Sequence, residues 1–100
     1  MKITAYVASA FSKNHEGGNK AGVVFMTQPL TRTQKMAIAK ELGFAETAFI
    51  SDSKIADFRL EYFTPKEEVD LCGHATIGAF TIMNHLNKLL QTAYTIETNS

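Results

Sequence analysis

Cys72-Gly73-His74 stands directly before a long run of small and apolar residues. A helix starting there would offer an anion its unpaired first-turn amides and the positive end of its dipole, and Gly73 would let a carboxylate approach the backbone closely. The competing reading is local: Gly73 eases a tight strand-to-helix turn and His74 satisfies a neighbouring carbonyl. On composition alone this plainer reading leads, because most helix starts bind only water. Glu46, in Phe44-Ala45-Glu46-Thr47-Ala48-Phe49, is a second candidate. Carboxylates set among apolar neighbours can exchange protons near neutral pH and so act as acid and base. Against this, glutamates are mostly exposed.

Cys72 is the only cysteine. A thiol at a helix start can serve as base or nucleophile, although a lone cysteine before a buried helix is more often a small core residue. His15, His74 and His85 lack the spacing of a metal motif, and no second cysteine completes a ligand set. Neither a metal nor a cofactor is expected. Residues 17–22, Gly17-Gly18-Asn19-Lys20-Ala21-Gly22, are rich in glycine but match neither common nucleotide-phosphate pattern. A hairpin turn accounts for them.

These groups need elements to hold them. Ile3, Ala5 and Val7 alternate with Lys2, Thr4 and Tyr6, which predicts a first strand with the former set facing a core. The turn at residues 12–20 leads to a second strand over 21–26. Thr31-Arg32-Thr33-Gln34 has capping-box spacing, so a helix of about three turns is expected, stopped by Gly43, with Arg32, Lys35 and Lys40 toward solvent. Residues 46–51 and 57–64 read as strands, the second with Phe58, Leu60 and Tyr62 on one side, and Pro65 ends it. From Gly73 through Leu90 the chain is apolar on most sides, the pattern of an interior helix. Ala75, Ile77, Gly78, Ala79, Phe80, Ile82 and Met83 should form the centre of the core, with Asn84, His85, Asn87 and Lys88 wetting the far end. Residues 93–98 suggest a last strand.

The chain has 100 residues, ten Lys plus Arg against ten Asp plus Glu, and 45% hydrophobic residues. That length supports one modest core and a single domain. Zero net charge gives no footprint for nucleic acid. The N-terminus has no apolar stretch of signal-peptide length, and the longest nearly apolar stretch is too short to span a bilayer. The expected setting is soluble and cytoplasmic, with no nucleic-acid or membrane partner.

Gly18-Asn19-Lys20-Ala21-Gly22, Glu46-Thr47-Ala48-Phe49, Phe63-Thr64-Pro65 and Val69-Asp70-Leu71-Cys72-Gly73-His74-Ala75-Thr76, in this order and spacing, resemble the phenazine-biosynthesis PhzF-like isomerases. The resemblance covers essentially the whole chain but only the N-terminal part of a family member. It implies an α+β fold of the diaminopimelate-epimerase type, with a mostly antiparallel sheet wrapped around a central buried helix. It further implies that Glu46 is the acid/base, that Gly73 and His74 sit at the carboxylate of a small-molecule substrate, and that Asn19 lines the cleft. Lys20 departs from the proline usual at that place.

The same fold hosts cofactor-free racemases and epimerases that use a cysteine where Cys72 stands. Glu46 is preferred because Gly-His-Ala-Thr follows Cys72, where the epimerases have Gly-Asn-Gly. Family catalysis also draws on the C-terminal half, so this chain is expected to be incomplete and inactive alone. Three forms are open: a partial product of a full isomerase, a homodimer of half-proteins, or a carboxylate-binding module without chemistry.

Overall fold

The computed structural model describes residues 3–10, 19–86 and 94–99. Among them, six strands form one sheet: β1 (Ala5–Ala10), β2 (Asn19–Phe25), β3 (Glu46–Ser51), β4 (Phe58–Phe63), β5 (Glu68–Val69) and β6 (Ile96–Glu97). Helices α1 (Arg32–Leu42) and α2 (Gly73–His85) complete this α+β architecture. β1 to β5 lie side by side in sequence order, and β6 shares the outer edge of β4 with β5. Three pairings are antiparallel, while β2 with β3 and β4 with β6 run parallel, so the sheet is mixed. The β2–β3 pairing must be parallel because α1 carries the chain back across the sheet between them.

Local signals place several elements where the sequence predicts them. Thr31 caps α1 through both arms of a capping box, its hydroxyl accepting from the Gln34 amide at 3.1 Å while the Gln34 side chain accepts from the Thr31 amide at 2.8 Å. Gly43 ends the helix at φ 74°, a left-handed conformation that glycine adopts without steric cost. β3 matches its predicted span end to end. The turn expected over residues 12–20 lies largely outside the described residues, as do Asn87, Lys88 and the rest of 87–93.

The sheet carries packed residues on both of its faces, so the reading of the first strand holds for Ile3 and Ala5 but not for Val7, which is 53% exposed, while the opposite parity is covered too. Tyr6 and Ala8 join Ala21, Val23, Ala48, Ile50, Leu60 and Tyr62 under α2, whereas Ile3 and Ala5 pack with Val24, Phe49 and Phe63 on the α1 side. Strict alternation identifies a core-facing parity only when one face is wet. Phe49 and Phe63 meet edge to face at 5.4 Å on the α1 side, a contact worth about 0.5–1.5 kcal/mol beyond its buried area.

Lys35 also departs from expectation. It is buried, not solvent-facing, and its Nζ lies 2.7 Å from Glu61 Oε1 on β4. The outward parity of β4 thus meets α1 and not water.

α2 is buried on its sheet-facing side only. Ala75, Gly78, Ala79 and Met83 are covered, but Ile77 is 44% exposed and Leu71, just before the helix, 55%. The prediction of an all-round interior helix fails here because a sheet reaches only the stripe spaced three and four residues apart. Gly78 allows this close seat: a Cβ there would sit 3.1 Å from that of Ala8 on β1. Among the described residues, no helix is long and apolar enough to cross a membrane.

Candidate active site at the start of the sheet-packed helix

Glu46 is the first residue of β3 and shares its parity with Ala48 and Ile50, which face α2. Its register partner on β2 is Ala21, also on that face. The carboxylate therefore emerges on the side of the sheet where α2 begins. There, Glu46, Cys72 and His74 converge: a carboxylate oxygen, Sγ and a ring nitrogen all lie within 4.8 Å of one another. All three residues are half-buried. Spacing along the sequence, which compares only the histidines and the lone cysteine, gives no sign of this meeting. The sheet register brings in the carboxylate from a distant segment.

Gly73 lies between Cys72 and His74 and is exposed. A Cβ at this position would meet nothing within 4 Å, and its φ is not in the left-handed region. Neither packing nor backbone conformation within the described chain requires glycine there. Cys72, the N-cap, makes no side-chain hydrogen bond to the helix start, so its thiol is not spent on capping. Asn19 opens β2 opposite Ala10, at the end of the strand nearest Glu46.

Two residues that sequence reasoning left out of the site hold the helix start in place. Thr76 Oγ1 donates to the Cys72 carbonyl at 2.8 Å, and the Tyr62 hydroxyl is 2.6 Å from the same Oγ1. With the Thr76 proton committed to Cys72, Tyr62 is the donor in the second bond. Burial pushes the Tyr62 phenol above its usual value of 10.0; the Thr76 bond pulls it down and the nearby Cys72 charge pushes it further up. Strand alternation marks Tyr62 only as an inward position, and the spacing of Thr76 four residues after Cys72 is the available signal in the sequence. A cleft of about 260 Å³, lined by residues including Ile3, Tyr6, Met26 and Leu30, lies at the opposite end of β2. It holds none of the converging donors.

Residues 8–100 match the model of the PhzC-PhzF family, described as phenazine biosynthesis-like protein. The chain belongs to that family. Among PhzC-PhzF relatives, it is 48% identical over 79 residues to "Uncharacterized isomerase YddE" of Escherichia coli K12, covering 79% of this chain and 27% of the relative. A "Phenazine biosynthesis-like domain-containing protein" of Bos taurus is 36% identical over an alignment covering 100% of this chain and 37% of that protein.

The crystal structure of a Bacillus anthracis phenazine biosynthesis protein of the PhzF family superposes with a TM-score of 0.88 at 40% identity, over 98% of this chain and 33% of that one. A predicted epimerase from Pseudomonas aeruginosa shares the fold, with a TM-score of 0.82 at 24% identity. The PhzC-PhzF chain described here thus spans roughly a quarter to two fifths of the relatives it matches.

Proposed function

We propose that this chain provides the proton-transfer half of a PhzF-like isomerase site, with Glu46 the acid/base and the Gly73–His74 segment the anchor for a substrate carboxylate. The observation that carries the reading is the meeting of Glu46 with Cys72 and His74 across the sheet-to-helix junction. A carboxylate held at the helix start by backbone amides would lie beside the Glu46 side chain, which could then remove a proton from one carbon and return it to another along a conjugated system. The open space over Gly73 fits close approach of such a ligand. Asn19, at the adjacent end of β2, is assigned to the same cleft wall by the family resemblance. The groups that complete turnover belong to the C-terminal half of the family fold, and a small-molecule carboxylate is the expected substrate class.

Cys72 gives a second reading, because its sulfur belongs to the same cluster: a thiol base of the epimerase type. Both readings are tested with the chain supplemented by the C-terminal half of a relative and offered cyclic diene carboxylates in D₂O. If Glu46 is the acid/base, Glu46→Gln lowers deuterium incorporation by about 10²–10⁴-fold, the usual contribution of a general acid or base, and Cys72→Ser does not. The reverse pattern assigns the thiol.

A further inference from the structure

We infer that Tyr62 and Thr76 are positioning residues for the Gly73 amide. A chain of hydrogen bonds from the Tyr62 phenol through the Thr76 hydroxyl to the Cys72 carbonyl sets the direction and donor strength of the N–H on the far side of that peptide. The inference rests on the carboxylate-anchor reading of Gly73 and His74, and adds to it the groups that tune the anchor.

The Cys72 carbonyl and the Gly73 N–H belong to one peptide unit, which is planar and trans. They point in opposite directions, so whatever fixes the carbonyl also fixes the amide hydrogen. Thr76 fixes it with two donors, its backbone N–H at 3.0 Å and its hydroxyl at 2.8 Å. Gly73 is the first residue of α2, and its own N–H has no acceptor within the helix. That amide is left to meet an incoming anion.

A threonine hydroxyl bonded four residues back is by itself an ordinary helix feature, and Thr81 makes the same bond to the Ile77 carbonyl at 2.8 Å. Two things set Thr76 apart. The carbonyl it holds is the one joined to the anchoring amide, and a fully buried tyrosine from β4 stands 2.6 Å behind its oxygen. A hydroxyl that accepts a bond donates a stronger one, and a carbonyl that accepts more makes its own N–H a better donor. Each step strengthens the next by about 10–30%. For a charge-assisted bond from Gly73 to a carboxylate, that share amounts to about 1.3–5-fold in affinity. Both Thr76 donors go to Cys72, so the next peptide, which carries the His74 amide, lies outside the chain of bonds.

The test uses the ¹⁵N-labelled 100-residue chain with benzoate as the probe carboxylate, each variant being checked for native circular dichroism. Without ligand, Thr76→Val should move the Gly73 amide resonance more than that of His74, while Thr76→Ser, which keeps the hydroxyl, should leave both near their wild-type positions. Benzoate affinity should fall about 1.3–5-fold in Thr76→Val, return in Thr76→Ser and stay unchanged in Thr81→Val. Tyr62→Phe should weaken binding in the otherwise wild-type chain and add nothing to Thr76→Val, because the phenol acts only through Thr76. Unchanged affinity in Thr76→Val, an equal loss in Thr76→Ser, or additive losses in the double variant overturns the positioning role and leaves the anchor standing. If Thr76→Val fails to fold, Tyr62→Phe decides, and an unmoved Gly73 resonance with unchanged affinity overturns the role. A wild-type chain whose amides at residues 73 and 74 do not respond to benzoate overturns the anchor and this role with it.

Discussion

The hydroxyl of Tyr62, on β4, lies 2.6 Å from Thr76 Oγ1 in the first turn of α2, and Thr76 in turn bonds the Cys72 carbonyl. The helix start that carries Gly73 and His74 is thereby tied to the sheet by a fully buried phenol.

This link gives a pH dependence. The folded-state pKa of Tyr62 is raised above its ordinary value of 10.0, chiefly by burial, so the native state holds the proton more tightly than the unfolded chain. The stability this contributes is fully present below about pH 10 and is lost as pH rises through the folded value. Urea unfolding from pH 8 upward should show stability falling above about pH 10. Tyr62→Phe should lose about 0.5–1.5 kcal/mol at neutral pH for the missing hydrogen bond and show a shallower alkaline fall. An unchanged alkaline slope in the variant would remove Tyr62 as the cause.

Gly73 separates folding from binding. Its substitution by Ala introduces no contact within 4 Å and no positive-φ strain, so Gly73→Ala should leave stability unchanged or raise it by up to about 1 kcal/mol. Binding of small carboxylates, followed by amide shifts of residues 73 and 74 in the ¹⁵N-labelled chain, should weaken, and Gly73→Val should abolish it. Equal affinity in wild type and Gly73→Val would refute the anchor.

Lys35 and Glu61 form an ion pair with side chains only 10% and 14% exposed. Lys35→Met leaves Glu61, among the described residues, with Arg59 at 3.9 Å as its remaining cation. The expected cost is roughly 2–3 kcal/mol, somewhat below the usual loss for a broken buried pair. Replacing both partners, Lys35→Met with Glu61→Leu, should recover most of it. Chemical denaturation of the three variants measures this directly, and a double variant weaker than Lys35→Met alone would contradict it.

Thr47 runs the other way. Its Oγ1 is buried without a hydrogen-bond partner, on the face of β3 where Gly22 and Leu42 approach it. Thr47→Val keeps the shape and removes the unsatisfied group, so stability should rise by up to about 1 kcal/mol. A lower melting temperature would show that the hydroxyl has a partner in solution.

The sequence by itself determined what acts within a few residues. Thr31, Gln34 and Gly43 mark the ends of α1 because caps are local hydrogen bonds and a local backbone angle. The alternation of Phe58, Leu60 and Tyr62 marks the α2-facing side of β4 for the same short-range reason. The ordered motifs carried the family.

Only the tertiary structure decided which faces are covered. It turned Tyr6 and Ala8 toward α2, drew Lys35 onto Glu61 and left Ile77 exposed, because two helices on opposite faces of the sheet cover residues of both strand parities. It also brought Glu46 to Cys72 and His74. That meeting depends on the register of β3 beside β2 and on how closely α2 sits over Ala8, and these are long-range packing choices that no local pattern encodes.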